Sequence, residues 1–168
     1  MSEYLQSAWH RSVMNRSAER ELTFKLLFMS DFYDRKEITD ELPLYFDAPL
    51  PFNDTTEEND DKASENTEYV PLGESINDSV KTRIIEKFSK IIEKSDEIDA
   101  KISEVSKGWT IDRIGKAELA ILRLAVYEIL FDDDIPASVA INEAVELAKR
   151  FGQESSYSFV NGILANFA

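Results

Sequence analysis

The chain has 168 residues, 43% of them hydrophobic, which is enough for one domain with a buried core. No run approaches the roughly 20 apolar residues of a membrane-spanning helix, and the N-terminus carries no apolar secretory core, so a soluble, cytoplasmic protein is expected. The lack of cysteine excludes disulfides and thiolate metal sites, the single histidine excludes His-cluster metals and a catalytic triad, and the net charge of −14 excludes a uniformly basic nucleic-acid binder.

Residues 1–14 show little periodic apolar character and read as a flexible leader, with His10 a solvated bystander. From Asn15 to Tyr33, Leu22, Phe24, Leu26, Leu27, Phe28 and Phe32 recur at helical spacing. Ser17 is the expected N-cap, with Arg16, Arg20 and Lys25 near the start or on the polar side. A short second helix is expected from Glu37 to Phe46, stopped by Pro49 and Pro51. Residues 47–73 hold prolines and a run of acids, Asp54, Glu57, Glu58, Asp60, Asp61, Glu65 and Glu68, opposed only by Lys62. Such a segment buries too little apolar area to offset the cost of ordering and is read as a flexible acidic insertion.

Periodicity resumes at Ile76, Val80, Ile84, Phe88 and Ile91, a third helix capped by Ser75 or Asn77. Ser95-Asp96 marks a break, and Ile98, Ile102 and Val105 define a fourth helix ending at Gly108. Thr110 is the expected cap of a central helix from Ile111 to Phe131, whose scarcity of polar positions predicts burial on most sides. Arg123 there needs a carboxylate partner, Glu128 or Glu146. After the turn Asp132-Asp133-Asp134, Pro136 opens a sixth helix that stops at Gly152. Within it Asn142 is expected to satisfy a backbone group near the helix start, and Glu143 to favour the helix dipole. Ser155 or Ser156 caps a last helix with Tyr157, Phe159, Val160, Ile163, Leu164 and Phe167. The pair Asn161-Gly162 disfavours a helix interior, so close packing or the approach of a ligand to the backbone is implied. No alternating strand pattern, glycine-rich phosphate loop or repeat is visible. The fold class is therefore all-α, about seven helices.

Three ordered motifs carry a resemblance. Residues 139–152 read VAINEAVELAK-x-FG, residues 159–162 read FVNG, and residues 120–128 read AILRLAVYE. Arg20-Glu21 followed by Lys25, Leu27 and Phe28 is a weaker match to an Arg-Glu-x-x-x-Gln-x-Leu-Tyr opening. Together they resemble the NusB family of transcription antitermination factors.

The resemblance implies two packed helical bundles, here 15–95 and 96–168, with no cofactor and no catalysis. It implies a protein that binds single-stranded boxA-type RNA of ribosomal RNA leaders together with the ribosomal protein NusE, and that acts on elongating RNA polymerase. The RNA residues it implies are Arg16, Arg20, Lys149, Phe151, Ser155, Ser156, Tyr157, Phe159 and Asn161, since unpaired bases stack on aromatic faces while cations hold phosphates. For the partner face it implies Phe28, Asp112 and Glu118, whose acids suit a basic ribosomal protein. The family's dense N-terminal arginine run is reduced to Arg11, Arg16 and Arg20, so weak independent RNA binding is expected. A protein-only adaptor, or a module associated with ribosomal RNA methylation, are the alternatives; the latter is disfavoured because no nucleotide-binding domain follows Ala168.

Overall fold

The first helix, α1 (Arg16–Ser30), begins where the Asn15 side chain accepts a hydrogen bond from the Ala18 amide at 2.8 Å. The expected cap, Ser17, instead donates from its hydroxyl to Glu143 at 2.9 Å. The structure is a computed structural model that describes residues 15–34, 37–38, 40–42, 46 and 76–168. The leader with His10 and Arg11, the insertion at 47–73, Ser75 and parts of the 37–46 helix lie outside the described residues. Residues 37, 38, 40–42 and 46 are helical, and Ile38, Leu42 and Phe46 join the core.

Asn77 caps α2 (Asp78–Glu93), its side chain accepting from the Ser79 amide at 2.8 Å. Next, α3 (Ser95–Val105) starts directly after Lys94 and closes at Ser106, short of Gly108. The expected helix 111–131 is divided. A 3-10 turn occupies Ile111–Arg113, Ile114 is extended, and α4 (Lys116–Phe131) starts only after Gly115. The extended backbone at Ile114 and Gly115 breaks the hydrogen-bond ladder that a continuous helix needs. Pro136 precedes α5 (Ala137–Phe151), and α6 (Ser156–Leu164) runs into a terminal 3-10 turn, Ala165–Phe167. Among the described residues there is no strand.

The centre of the fold is α4, which packs against α1, α2, α3, α5 and α6. Its apolar residues point in every direction, and Ile121, Leu122 and Val126 are fully buried. One hydrophobic cluster runs from Leu22 of α1 to Leu164 of α6. Truncation of a residue such as Ile121 to Ala costs about 2–5 kcal/mol. This core sets the α5–α6 junction beside α1 and α4 without leaving the junction itself buried.

Candidate nucleic-acid interface

The junction is a tight corner. The Gly152 amide donates to the Ala148 carbonyl at 2.9 Å, and a Cβ on Gly152 would collide with that carbonyl and with Ser156. Ser156 is buried: its hydroxyl accepts from the Gln153 amide at 2.7 Å and donates to the Glu118 carboxylate. Ser156, expected at an RNA surface, is thus a corner pin, and it uses an oxygen of Glu118, expected to face a protein partner. Local sequence could not show this, because the bond joins helices 38 residues apart.

Beyond the corner, successive α6 residues turn by about 100°, so its faces follow from the numbering. Val160, Ile163 and Leu164 are buried, whereas Tyr157, Ser158, Asn161, Gly162 and Ala165 are exposed. Tyr157 and Phe159 stand on the two flanks of that exposed face, roughly 160° apart by the same helical geometry. Small or polar residues separate them. Gly162 meets nothing within 4 Å where a Cβ would stand, so helix packing does not require it. On the Tyr157 flank, the exposed Lys149 places its ammonium 5.8 Å from the ring centroid. Ser155 is exposed at the start of the helix. Phe159 is half-buried, and its ring meets Trp109, a residue that sequence reading passed over.

Phe151 is half-buried at the end of α5, beside one ring and two cations. Phe24 lies 5.1 Å away, the Lys25 ammonium 5.4 Å and the Arg150 guanidinium 4.9 Å from its centroid. Lys25, expected on the polar side of α1, is buried and paired with Glu21 at 2.9 Å. The contacts Ser17–Glu143, Arg150–Glu21 and Phe24–Phe151 show that this flank of α1 lies along α5.

Arg20 requires the main correction. Expected to hold phosphate, it is 7% exposed and grips the fully buried Glu128 of α4, Nε to Oε1 at 2.8 Å and Nη2 to Oε2 at 2.9 Å. Lys87 completes the neutralisation of Glu128 at 3.0 Å, and Glu143 lies 3.6 Å from Arg20. Glu143 therefore answers α1 rather than its own helix dipole, and Asn142 is exposed rather than serving a buried backbone group. Arg16 is exposed but faces another flank of α1, lining a groove with Arg83, Lys87 and Lys90 of α2 and Asp132–Asp134. The structure thus gathers Lys149, Ser155, Tyr157, Phe159 and Asn161, sets Phe151 beside them at the edge of the core, and separates Arg16.

Arg123 pairs with neither expected partner. It is bidentate to Asp99 of α3, both bonds 2.8 Å, and reaches Asp31 at 3.2 Å. Glu128, five residues on along the same helix, points to a different side. Burial alone would raise the Asp31 carboxyl, but the Lys116 hydrogen bond and the Arg123 charge outweigh it and hold the group below its ordinary value.

The Lys116–Asp31 ion pair, 2.8 Å, ties the end of α1 that carries Phe28 to the start of α4, just after Asp112. Asp112 is exposed and Phe28 half-buried. Phe32, the last of the apolar residues at helical spacing between Asn15 and Tyr33, is 62% exposed, and its ring meets Phe28 at 5.4 Å, edge to face. Tyr33 is exposed beside it. Among the described residues no cluster of His, Cys, Asp or Glu could hold a metal ion, and no helix is long and apolar enough to cross a membrane.

The NusB family model matches residues 17–168. Transcription antitermination protein NusB of Agathobacter rectalis is 45% identical over 155 residues, covering 92% of this chain and 100% of that protein. The protein of the same name from Lachnoclostridium phytofermentans is 40% identical, covering 90% of this chain and 97% of its own. A solved structure of T. maritima NusB superposes with a TM-score of 0.69 at 32% identity, covering 92% of this chain and 91% of that one.

Proposed function

This chain belongs to the NusB family, and from that premise we propose that it serves transcription antitermination by gripping single-stranded boxA-type RNA on the exposed face of α6. NusE is the proposed protein partner, and elongating RNA polymerase the machinery on which the complex acts. The carrying observation is the make-up of that face in so acidic a protein: Tyr157 with Lys149 over it, Asn161, and a glycine whose missing side chain nothing in the fold demands. Stacking rings supply base affinity, an ammonium supplies phosphate attraction, and the bare backbone at Gly162 lets a strand pass close.

The proposed RNA set is therefore Lys149, Ser155, Tyr157, Phe159 and Asn161, with Phe151 at its edge and Arg16 as a separate contact reached only by a longer RNA. No step of this role calls for catalysis or a cofactor. Phe28 and Asp112 are the proposed NusE contacts, widened by the exposed rings of Phe32 and Tyr33.

A second reading, an adaptor with little RNA affinity of its own, is favoured by one observation: Arg20, an expected phosphate ligand, is buried against Glu128. Fluorescence anisotropy separates the two, using boxA-like and scrambled RNA at two salt concentrations, with and without NusE. The antitermination reading expects preference for the boxA-like RNA, stronger with NusE. Equal binding of both RNAs in every condition contradicts it.

A further inference from the structure

Trp109 and Phe159 meet edge to face, centroids 5.7 Å apart and planes at 67°. The indole is 52% exposed, an unusual setting for the largest apolar side chain. Its position is nevertheless fixed. The Trp109 amide donates to the Ser106 carbonyl at 3.0 Å, closing a turn in which Gly108 takes φ +84, the positive value that the third place of a type II turn requires. The turn is anchored in the core, because Ser106 is buried and its hydroxyl donates to the Ile102 carbonyl at 2.6 Å. Phe159, in contrast, is half-buried and already turned toward the indole. On this flank of α6 the ring surface still open to solvent belongs mostly to Trp109.

We propose that Trp109 is a base-stacking residue: with Phe159 it forms an L-shaped notch that receives one unpaired RNA base at the far end of a track crossing α6 from Tyr157. This rests on the RNA-binding reading given above. A base laid flat on the indole presents its edge to the face of Phe159, the arrangement that the ring quadrupoles favour. Because the turn fixes the Trp109 backbone and Phe159 already packs against the indole, less rotamer freedom is lost on binding than for an unpacked side chain. Lys107, exposed in the same turn, adds a cation for the adjoining phosphate. RNA is favoured over a protein occupant by what lies between the flanks. Ser158, Asn161, Gly162 and Ala165 are small or polar, which suits a strand passing over them, whereas a protein hot spot needs a surrounding ring of contacts that excludes water.

The chain has two tryptophans, Trp9 and Trp109, so Trp9→Phe leaves Trp109 as the sole indole emitter. Titrating that full-length protein with a short boxA-like single-stranded RNA is expected to change Trp109 emission in step with binding. Trp109→Ala is expected to weaken binding about 5- to 150-fold, with Trp109→Phe retaining most of the affinity. Unchanged affinity in a folded Trp109→Ala protein, or unmoved emission at saturation, overturns the notch while leaving the RNA reading intact. Loss of NusE binding alone assigns the ring to a protein contact and likewise overturns it. Equal binding of boxA-like and scrambled RNA by the unsubstituted protein removes both. Should Trp109→Ala not fold, the emission of the Trp9→Phe protein decides alone.

Discussion

Arg20 of α1 and Glu128 of α4 are joined by a bidentate ion pair that is closed to solvent, with the carboxylate 0% exposed. Removing one partner of such a pair leaves an uncompensated buried charge, which costs about 3–5 kcal/mol. Arg20→Ala is therefore expected to lower unfolding stability by that order in a urea titration. Lys87 still reaches Glu128 at 3.0 Å and keeps the loss toward the lower end. Any RNA defect of Arg20→Ala should vanish when the comparison is restricted to folded protein.

Gly162→Ala separates stability from function. Nothing stands within 4 Å of the added methyl, and alanine is favoured over glycine in a helix by about 0.5–1 kcal/mol. The melting temperature is expected to rise while affinity for boxA-like RNA falls. Calorimetry and anisotropy on the same sample check both directions.

Gly152→Ala has the opposite character. Its methyl would meet Ser156 and the Ala148 carbonyl at the corner that sets α6 against α5. Overpacking of this kind costs about 1–3 kcal/mol. Denaturant unfolding should show the loss, and RNA affinity should fall with it as α6 shifts.

Lys149 is exposed, and its contacts, the solvent-exposed Glu146 at 3.3 Å and the face of Tyr157 at 5.8 Å, are both weak at an exposed site, so its charge is available to a phosphate. Lys149→Gln is expected to weaken boxA-like and scrambled RNA by similar factors. It should also reduce the slope of log affinity against log salt by about 1.

Asp31 links stability to pH. Its carboxyl lies below the ordinary value of 3.8 because Lys116 and Arg123 together outweigh burial. As pH falls through that value the unfolded chain takes up the proton first. The group's stabilisation is thus fully present above it and is lost as pH falls toward the lower folded value. Asp31→Asn should flatten that part of a stability–pH profile measured in urea.

Much of the fold was legible because apolar spacing dictates helices, and the Asn77 and Gly152 boundaries follow from local cap chemistry. The ion-pair partners were not. Arg123 chooses Asp99 and Asp31, and Arg20 chooses Glu128, through tertiary packing that brings distant residues together. Apolar spacing along α1 alone puts Arg20 and Lys25 near its start or on its polar side. In the fold the helix packs against α2 and α4 and touches α5 on another flank, which leaves little polar side. At the site, the exposed face of α6 could be read from its spacing, but Trp109 could not. Its importance depends on a turn that delivers it beside a ring 50 residues away, and no sequence neighbour signals that contact.

The central claim is that RNA lies across α6. Amide chemical-shift mapping during titration with boxA-like RNA tests it most directly. The account predicts shifts concentrated at Lys149, Ser155 through Gly162 and Trp109, with the groove of Arg16, Arg83 and Lys90 little affected by a short RNA. Shifts confined to that groove, or a boxA-like RNA that moves no more amides than a scrambled one, would contradict it.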